Sequence, residues 1–350
     1  MPCQTGPRPS NSVSPPQRLL SRDFILLFCI AMCSNSFIAV FYCFEQWLEG
    51  IMVPPAWRGL LISSLFGMVL LCRPIASVLF LRRGRLAGMT ISTIVFSGAM
   101  LLYPLAGGSG SPWPILALRV MQGIALAVFS SCSVAVLVSC IPVGQSARGF
   151  ALFSLTLLLP YSIIPALSER ILSLLGGEAN LFALTSLLGL PALAMLIPLA
   201  PRLRMPDAQD NQEGTAQKGR GLPARTLWQE VRHSGLGLIY LACMTFGTMT
   251  MTAIFFMKGL CSLTGEQPAL FFSIYTVTIM LVRLCGSHRL DSLPRYRVTV
   301  LCCAALVCCM LGLAWGPGGA FIPLTALYGF CLGLLYPLMA AAVYDRSTPA

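Results

Sequence analysis

Ten stretches of the chain are apolar for long enough to be read as crossing a bilayer, which takes about 20 residues of helix. They run 24–46, 59–80, 86–105, 114–141, 149–167, 181–199, 236–257, 269–284, 298–315 and 322–344. The eighth is short and is expected to continue towards residue 290. Short segments rich in Arg, Pro and Gly separate many of them. The pattern predicts an all-α membrane protein. The first run is too long for a signal-peptide core, which spans about 7–15 residues, and no small-residue cleavage site follows it. It reads as an uncleaved spanning helix.

The polar stretches divide the chain. Residues 1–22 are Pro- and Ser-rich and basic, and are expected to be a disordered leader. Residues 23–200 hold six spans and predict an N-terminal six-helix bundle. Residues 201–234 carry Asp, Gln, Gly, Lys and Arg without apolar periodicity and predict a cytoplasmic linker. Residues 235–350 hold four spans and predict a second bundle that is incomplete.

The two halves are related by sequence. Arg73-Pro-Ile-Ala-Ser77-Val-Leu-Phe-Leu81-Arg82-Arg83-Gly84-Arg85 closes the second span and opens the third. A weaker copy, Arg283-Leu-Cys-Gly-Ser287-His-Arg289-Leu-Asp291-Ser-Leu-Pro-Arg295, lies 210 residues further on. The same offset carries Gly123 to Gly333 and Cys140 to Ala350. A constant offset of this kind marks an internal repeat.

Composition narrows the class. Hydrophobic residues make up 56% of the chain and charged residues only 10%, with mean hydropathy +0.79. Soluble domains carry about 25% charged residues, so a water-exposed surface cannot be covered here. The net charge of +11 could suggest nucleic acid, but the basic residues sit in short loops between spans. Of the 23 Lys and Arg residues, only Arg58, Arg170 and Lys258 fall in loops on the far side, and Arg119 lies within a span. By the positive-inside rule the N-terminus is expected to be cytoplasmic. The 15 cysteines lie mostly inside apolar runs, where they pack as small apolar residues. Cys302, Cys303, Cys308 and Cys309 have no histidine or carboxylate beside them, so no metal is expected. No phosphate-cradling glycine loop points to ATP. His233 and His288 are isolated, so no nucleophile–base pair can be assembled and an enzyme is not expected.

Four residues within or near spans could carry chemistry. Arg119 opens Arg119-Val-Met-Gln122-Gly123 in the fourth span. A charge inside a span is costly and marks a pathway or a buried pair; the alternative is an arginine reaching the outer headgroups. Its natural partner by position is Glu45, with Glu49 second. A carboxylate beside a buried arginine can take and release a proton as its surroundings wet and dry, or Glu45 is a plain interfacial charge. Asn35 sits near the middle of the first span and is the first choice for a cavity wall. Other polar residues in spans are more often helix–helix hydrogen bonds.

Two related halves, an inner linker and an Arg-rich turn after each half's second span resemble the major facilitator superfamily. Its halves are parallel six-span repeats about an axis along the membrane normal. Arg73, Pro74, Arg82, Gly84 and Arg85 match the family's turn after span two. Ser77 stands for a glycine and Leu81 for an aspartate, an acid that the second copy keeps as Asp291. Arg119, Gln122 and Gly123 are similar to the family's signature in the fourth helix, and Pro165 to part of an exporter signature in the fifth, where Ile164 and Ser168 replace glycines. The arginines alone could serve topology. The resemblance implies a major-facilitator-type bundle in a 6+4 arrangement. It implies a monomeric secondary transporter of a small organic molecule in a bacterial inner membrane, proton-coupled and exporting. Asn35, Glu45, Arg119 and Gln122 would line the substrate or proton pathway. Arg73, Ser77, Arg82, Gly84, Arg85, Arg283, Asp291 and Arg295 would form the cytoplasmic gating loops. The alternative is a truncated, non-transporting membrane protein or a sensor on the same fold, favoured by Leu81 and by the expected missing spans.

Overall fold

The computed structural model describes residues 19–142, 144–204 and 268–347 apart from 316–317, together with 241, 243, 244, 246, 247, 250, 260 and 265. The expected leader, the linker 201–234 and the span 236–257 lie wholly or largely outside the described residues. The side chains at 81–83 do too.

Helix α1, Arg22–Ala39, opens on Ser21, whose hydroxyl accepts the N–H of Phe24. A 3-10 turn, Val40–Cys43, leads into α2, Phe44–Gly50, and the three form one rod from Arg22 to Gly50. Two prolines start α3, Pro55–Arg83, where a missing N–H costs nothing. Gly84 ends it at φ 124, a conformation that side chains rarely adopt, and α4, Arg85–Leu101, turns back. Pro104 opens the short α5, Tyr103–Gly108. Then come α6, Pro112–Cys140, and α7, Ser146–Leu175, which stops at Gly176 in the left-handed region. Helix α8, Glu178–Thr185, a 3-10 turn and α9, Gly189–Arg204, complete the first half. The second half holds α10, Pro268–Cys285, the one-turn α11, Ser287–Leu290, α12, Arg295–Ala314, and α13, Phe321–Ser347.

Among the described residues seven helical rods are long and apolar enough to cross a membrane, and residues 270–285 form a shorter apolar helix. The 30-residue α7 occupies the fifth expected span. All these elements are helical, as the hydropathy pattern predicts.

Glycine sets the closest packing in each half. A β-carbon on Gly123 of α6 would stand 2.6 Å from the Leu65 carbonyl oxygen of α3. In the second half Gly329 of α13 approaches the Tyr275 carbonyl of α10 in the same way, at 2.8 Å. Small residues let helix backbones close in where lipid gives no hydrophobic drive between helices. Second and fourth spans therefore pack alike in both halves.

Two apolar cores follow. One joins the halves, taking Leu27, Leu137 and Ala151 from the first and Ile279, Leu335 and Leu338 from the second. The other belongs to the first half and centres on Phe44, Trp47, Tyr103 and Phe182, whose rings lie 5.4 to 6.2 Å apart. Among the described residues the halves thus meet at the end of the bundle where α1 begins, and the aromatic core of the first half fills the opposite end.

Candidate functional site

At that opposite end a cavity of about 210 Å³ opens in the first half. Its wall includes Phe41, Phe44, Glu45, Leu65, Arg119 and Tyr161. Arg119 lies seven residues into α6, about 10 Å along it at 1.5 Å per residue. The side chain is only 3% exposed. The guanidinium stands over the Phe44 ring at 3.8 Å and the Phe41 ring at 4.3 Å. Phe41 and Phe44 are three residues apart across the 3-10 turn that ends α1, which puts both rings on the same charge. Its Nε donates to the Leu61 carbonyl at 3.2 Å, while Nη1 has no partner. A buried cation with an unused donor is costly, and cation–π contact offsets only part of that cost.

Gln122 is fully buried behind Arg119 and accepts the Tyr103 hydroxyl at 2.8 Å, while its Nε2 has no partner. The spacing Arg-x-x-Gln-Gly now has a physical reading. Gly123 lets α3 come close, Arg119 binds the α3 backbone one turn earlier, and Gln122 reaches across to α5.

Glu45 shares the cavity wall with Arg119 but does not pair with it; no ion pair joins them among the described residues. The expected partnership is corrected here. Glu45 follows Phe44 on α2 and is exposed, while the two phenylalanine rings occupy the faces of the guanidinium. Glu49 is no substitute, since it pairs with Arg58 at 3.6 Å. Nor does Arg119 reach the headgroups, because it is buried.

Asn35 is half-buried and lies off the cavity. Its amide donates to the carbonyl and hydroxyl oxygens of Thr156 at 3.0 and 3.2 Å, tying α1 to α7. Helix contact, rather than wall, is what this residue supplies in this conformation.

The expected gating residues divide into two sets. Around the first turn, Arg73 is exposed on α3, the Ser77 hydroxyl donates to the Pro74 carbonyl at 2.8 Å, Gly84 makes the reversal and Arg85 begins α4. The Arg82 side chain is outside the described set. In the second copy Arg283 is not a loop residue: it is buried in α10, 6% exposed, with its guanidinium 5.3 Å from the Tyr336 ring and Nε unpartnered. Sequence register equated it with Arg73, but packing against α13 separates the two.

Asp291 and Arg295 do meet the first half. The Asp291 carboxylate accepts the N–H groups of Ala147 at 2.8 Å and Arg148 at 3.4 Å. These are free donors in the first turn of α7, whose own N-cap, Gln145, makes no side-chain bond. An anion at a helix N-terminus also meets the positive end of the dipole. Arg295 donates to the Ser146 hydroxyl at 3.2 Å and pairs with Asp345 of α13. Burial raises the Asp291 carboxyl above its usual range; the two N–H groups and Arg295 pull it back down, and Asp345 pushes it up. Phe150 and Tyr344 stack edge to face across the same junction, at 6.1 Å.

Sequence reasoning did not find Phe41, Phe44, Tyr103 or Tyr161. The signal available was the Phe41-x-x-Phe44-Glu45 spacing at the end of the first span, which reads as ordinary apolar helix until α6 is placed beside it.

A family model described as Major Facilitator Superfamily matches residues 24–350. No curated protein matches the chain. Among solved structures, the fold is similar to that of the proton:xylose symporter XylE bound to 6-bromo-6-deoxy-D-glucose, with TM-score 0.70 and 15% identity over 92% of this chain and 81% of that one. It is similar also to the human organic anion transporter MFSD10 (TETRAN), with TM-score 0.67 and 18% identity over 95% of this chain and 86% of that one. At these identities the likeness is one of fold.

Proposed function

The chain belongs to the major facilitator superfamily, a family of multi-pass membrane carriers rather than enzymes, and from that premise we propose that it exports a small organic molecule in exchange for protons by alternating access. The observation that carries this reading is the junction at Asp291. There the second half caps a helix of the first through three hydrogen bonds. The cavity with its buried arginine lies at the opposite end. These polar contacts sit beside the apolar core that joins the halves, and they can be broken and remade as the two bundles rock.

In this reading the N-terminus is cytoplasmic, the membrane is a bacterial inner membrane and the carrier works as a monomer. The conformation is closed inside, with Asp291, Arg295, Ser146 and Arg148 as the inner gate. Glu45 is the proton-carrying residue, Arg119 lies in the wall of the substrate site and Gln122 is buried behind it. A single carboxylate in an apolar wall holds either a proton or a cationic group. A proton entering from outside therefore displaces a cationic group into the outward-facing cavity, and the two ligands exchange.

The test is transport by the purified chain in proteoliposomes under an imposed pH gradient, with a panel of small organic cations, zwitterions and anions. Accumulation should follow the gradient in the wild type, and Glu45→Gln should move substrate without that dependence. Unaltered pH dependence in Glu45→Gln takes the residue out of the mechanism. No gradient-driven movement of any panel member takes the transport reading with it.

A further inference from the structure

Two opposite charges share one small, largely apolar cavity without touching each other, and this points to the ligand. Arg119 is 3% exposed, fixed by the Leu61 carbonyl and two phenylalanine rings, and left with Nη1 unpartnered. Glu45 is in the same wall, exposed, with no ion pair to Arg119. Resting on the transporter reading above, we infer that the substrate is a small zwitterion of the amino-acid type. Its carboxylate meets Arg119 and its ammonium group meets Glu45.

Three physical points carry this. A guanidinium in the wall of a largely apolar cavity gains most from an ionised acceptor, because charge-assisted bonds are the strong ones and a planar fork suits a carboxylate. A plain anion would bring its charge into the cavity of the Glu45 carboxylate, and a plain cation into that of Arg119. Only a molecule with both signs satisfies both walls. The volume, about 210 Å³, is below the range of about 300–1,000 Å³ usual for drug-sized ligands, so the molecule is metabolite-sized. The rest of the wall, with Phe66, Ile62 and Leu65, suits an apolar side chain. The tyrosines Tyr42 and Tyr161 add hydroxyls to the same wall.

The experiment uses the full chain in detergent, followed by its thermal unfolding midpoint. The probes are phenylalanine, leucine, γ-aminobutyrate and δ-aminovalerate, each as the free zwitterion, the methyl ester and the N-acetyl derivative. The expected result is that at least one free zwitterion raises the midpoint and half-saturates about tenfold lower than either blocked form, as loss of one charged contact implies. Arg119→Gln should abolish the preference for the acid over its ester. Glu45→Gln should abolish the preference for the free amine over its N-acetyl form. An ester that matches its acid in the wild type overturns the inference, and so does a panel in which nothing shifts the midpoint; neither outcome depends on a variant folding. Counterflow in proteoliposomes separates the two readings. A zwitterion that binds through Arg119 but is not moved leaves the site standing and removes transport. Movement of cations indifferent to Arg119 does the reverse.

Discussion

Gly123 of α6 passes Leu65 of α3 so closely that a β-carbon would stand 2.6 Å from the Leu65 carbonyl oxygen and 2.6 Å from the Met68 β-carbon. Four residues earlier on both helices, Arg119 Nε donates to the Leu61 carbonyl. The two contacts lie one turn apart along two helices that run the same way. The glycine sets the separation at which the arginine can reach the neighbouring backbone, so the cavity charge is positioned by a residue that never touches the cavity.

Substituting Gly123→Val should therefore act on Arg119 as well as on packing. Overfilling a close contact costs about 1–3 kcal/mol. The expected outcome is a lower thermal midpoint in detergent, together with weakened binding of whatever ligand the wild type holds at Arg119. Gly123→Ala should show the same two effects in smaller measure. A variant that loses stability but binds as before would show that the arginine does not need this spacing.

Asp291→Ala removes the cap that the second half places on α7. Losing an N-cap costs about 0.5–2 kcal/mol. Amide hydrogen exchange at residues 147–150 should quicken by several-fold, while α3 and α6 stay as they are. Asp291→Asn should quicken it less than Asp291→Ala, since it keeps an oxygen acceptor for the α7 N–H groups. Unchanged exchange at the start of α7 would mean that the contact adds nothing to closure.

The same carboxylate gives the junction a pH dependence with a definite sign. Its titration lies above the usual range in the closed form, chiefly through burial. An opened junction returns it to water and to its ordinary range, near 3.8. The closed form therefore binds the proton more tightly. Closure is favoured as pH falls through the raised value, gains nothing more below the ordinary one, and weakens as pH rises. Arg295, Asp345 and the Arg148 N–H face the same group. Exchange at residues 147–150, corrected for the intrinsic rate at each pH, should slow as pH falls from neutral towards 4 in the wild type and lose this trend in Asp291→Asn.

Asn35 offers a choice between two roles that a mutant cycle can decide. Its amide bonds to Thr156 on α7. Polar contacts between spanning helices average about 0.6 kcal/mol. Asn35→Ala should cost about that much, and Thr156→Val should add little on top because both bonds are already lost with the amide. A substrate contact at Asn35 would instead show as weakened binding in Asn35→Ala with none in Thr156→Val.

The helical plan was legible because hydropathy decides it. Runs at the length of a bilayer reappear as α1 with α2, α3, α4 with α5, α6, α8 with α9, α12 and α13, with ends a few residues from those expected. Gly84 and Gly123 were marked by motif and repeat alone; that one makes a reversal and the other a close approach is seen only in the packed helices. Partnership was not readable. Arg119 and Glu45 were paired by depth alone, yet the two rings at Phe41 and Phe44 come between that expectation and the fold. Arg283 fell inside the eighth expected run, yet register with Arg73 assigned it to the gating loops; burial beside Tyr336 of α13 shows it to be interior. Asp291 was marked by a repeat that had lost its acid in the first copy, but the target of that acid, 144 residues earlier, is a property of packing.

Arg119→Lys is the sharpest test of how the cavity charge is held. Lysine keeps the positive sign and much of the length, but it has no Nε–H for Leu61 and no flat face for Phe41 and Phe44. Stacking of a desolvated guanidinium is worth up to about 2 kcal/mol, and a bond to a charged donor about 1.5–3 kcal/mol. Part of both is lost in the lysine variant, so stability should drop by about 1–3 kcal/mol although net charge is unchanged. Phe44→Leu should cost less once lysine is present than in the wild type, because the ring then has no guanidinium to face. Additive losses in the double variant would show that the ring and the guanidinium are merely neighbours, and the charge would then need another explanation for its place in an apolar wall.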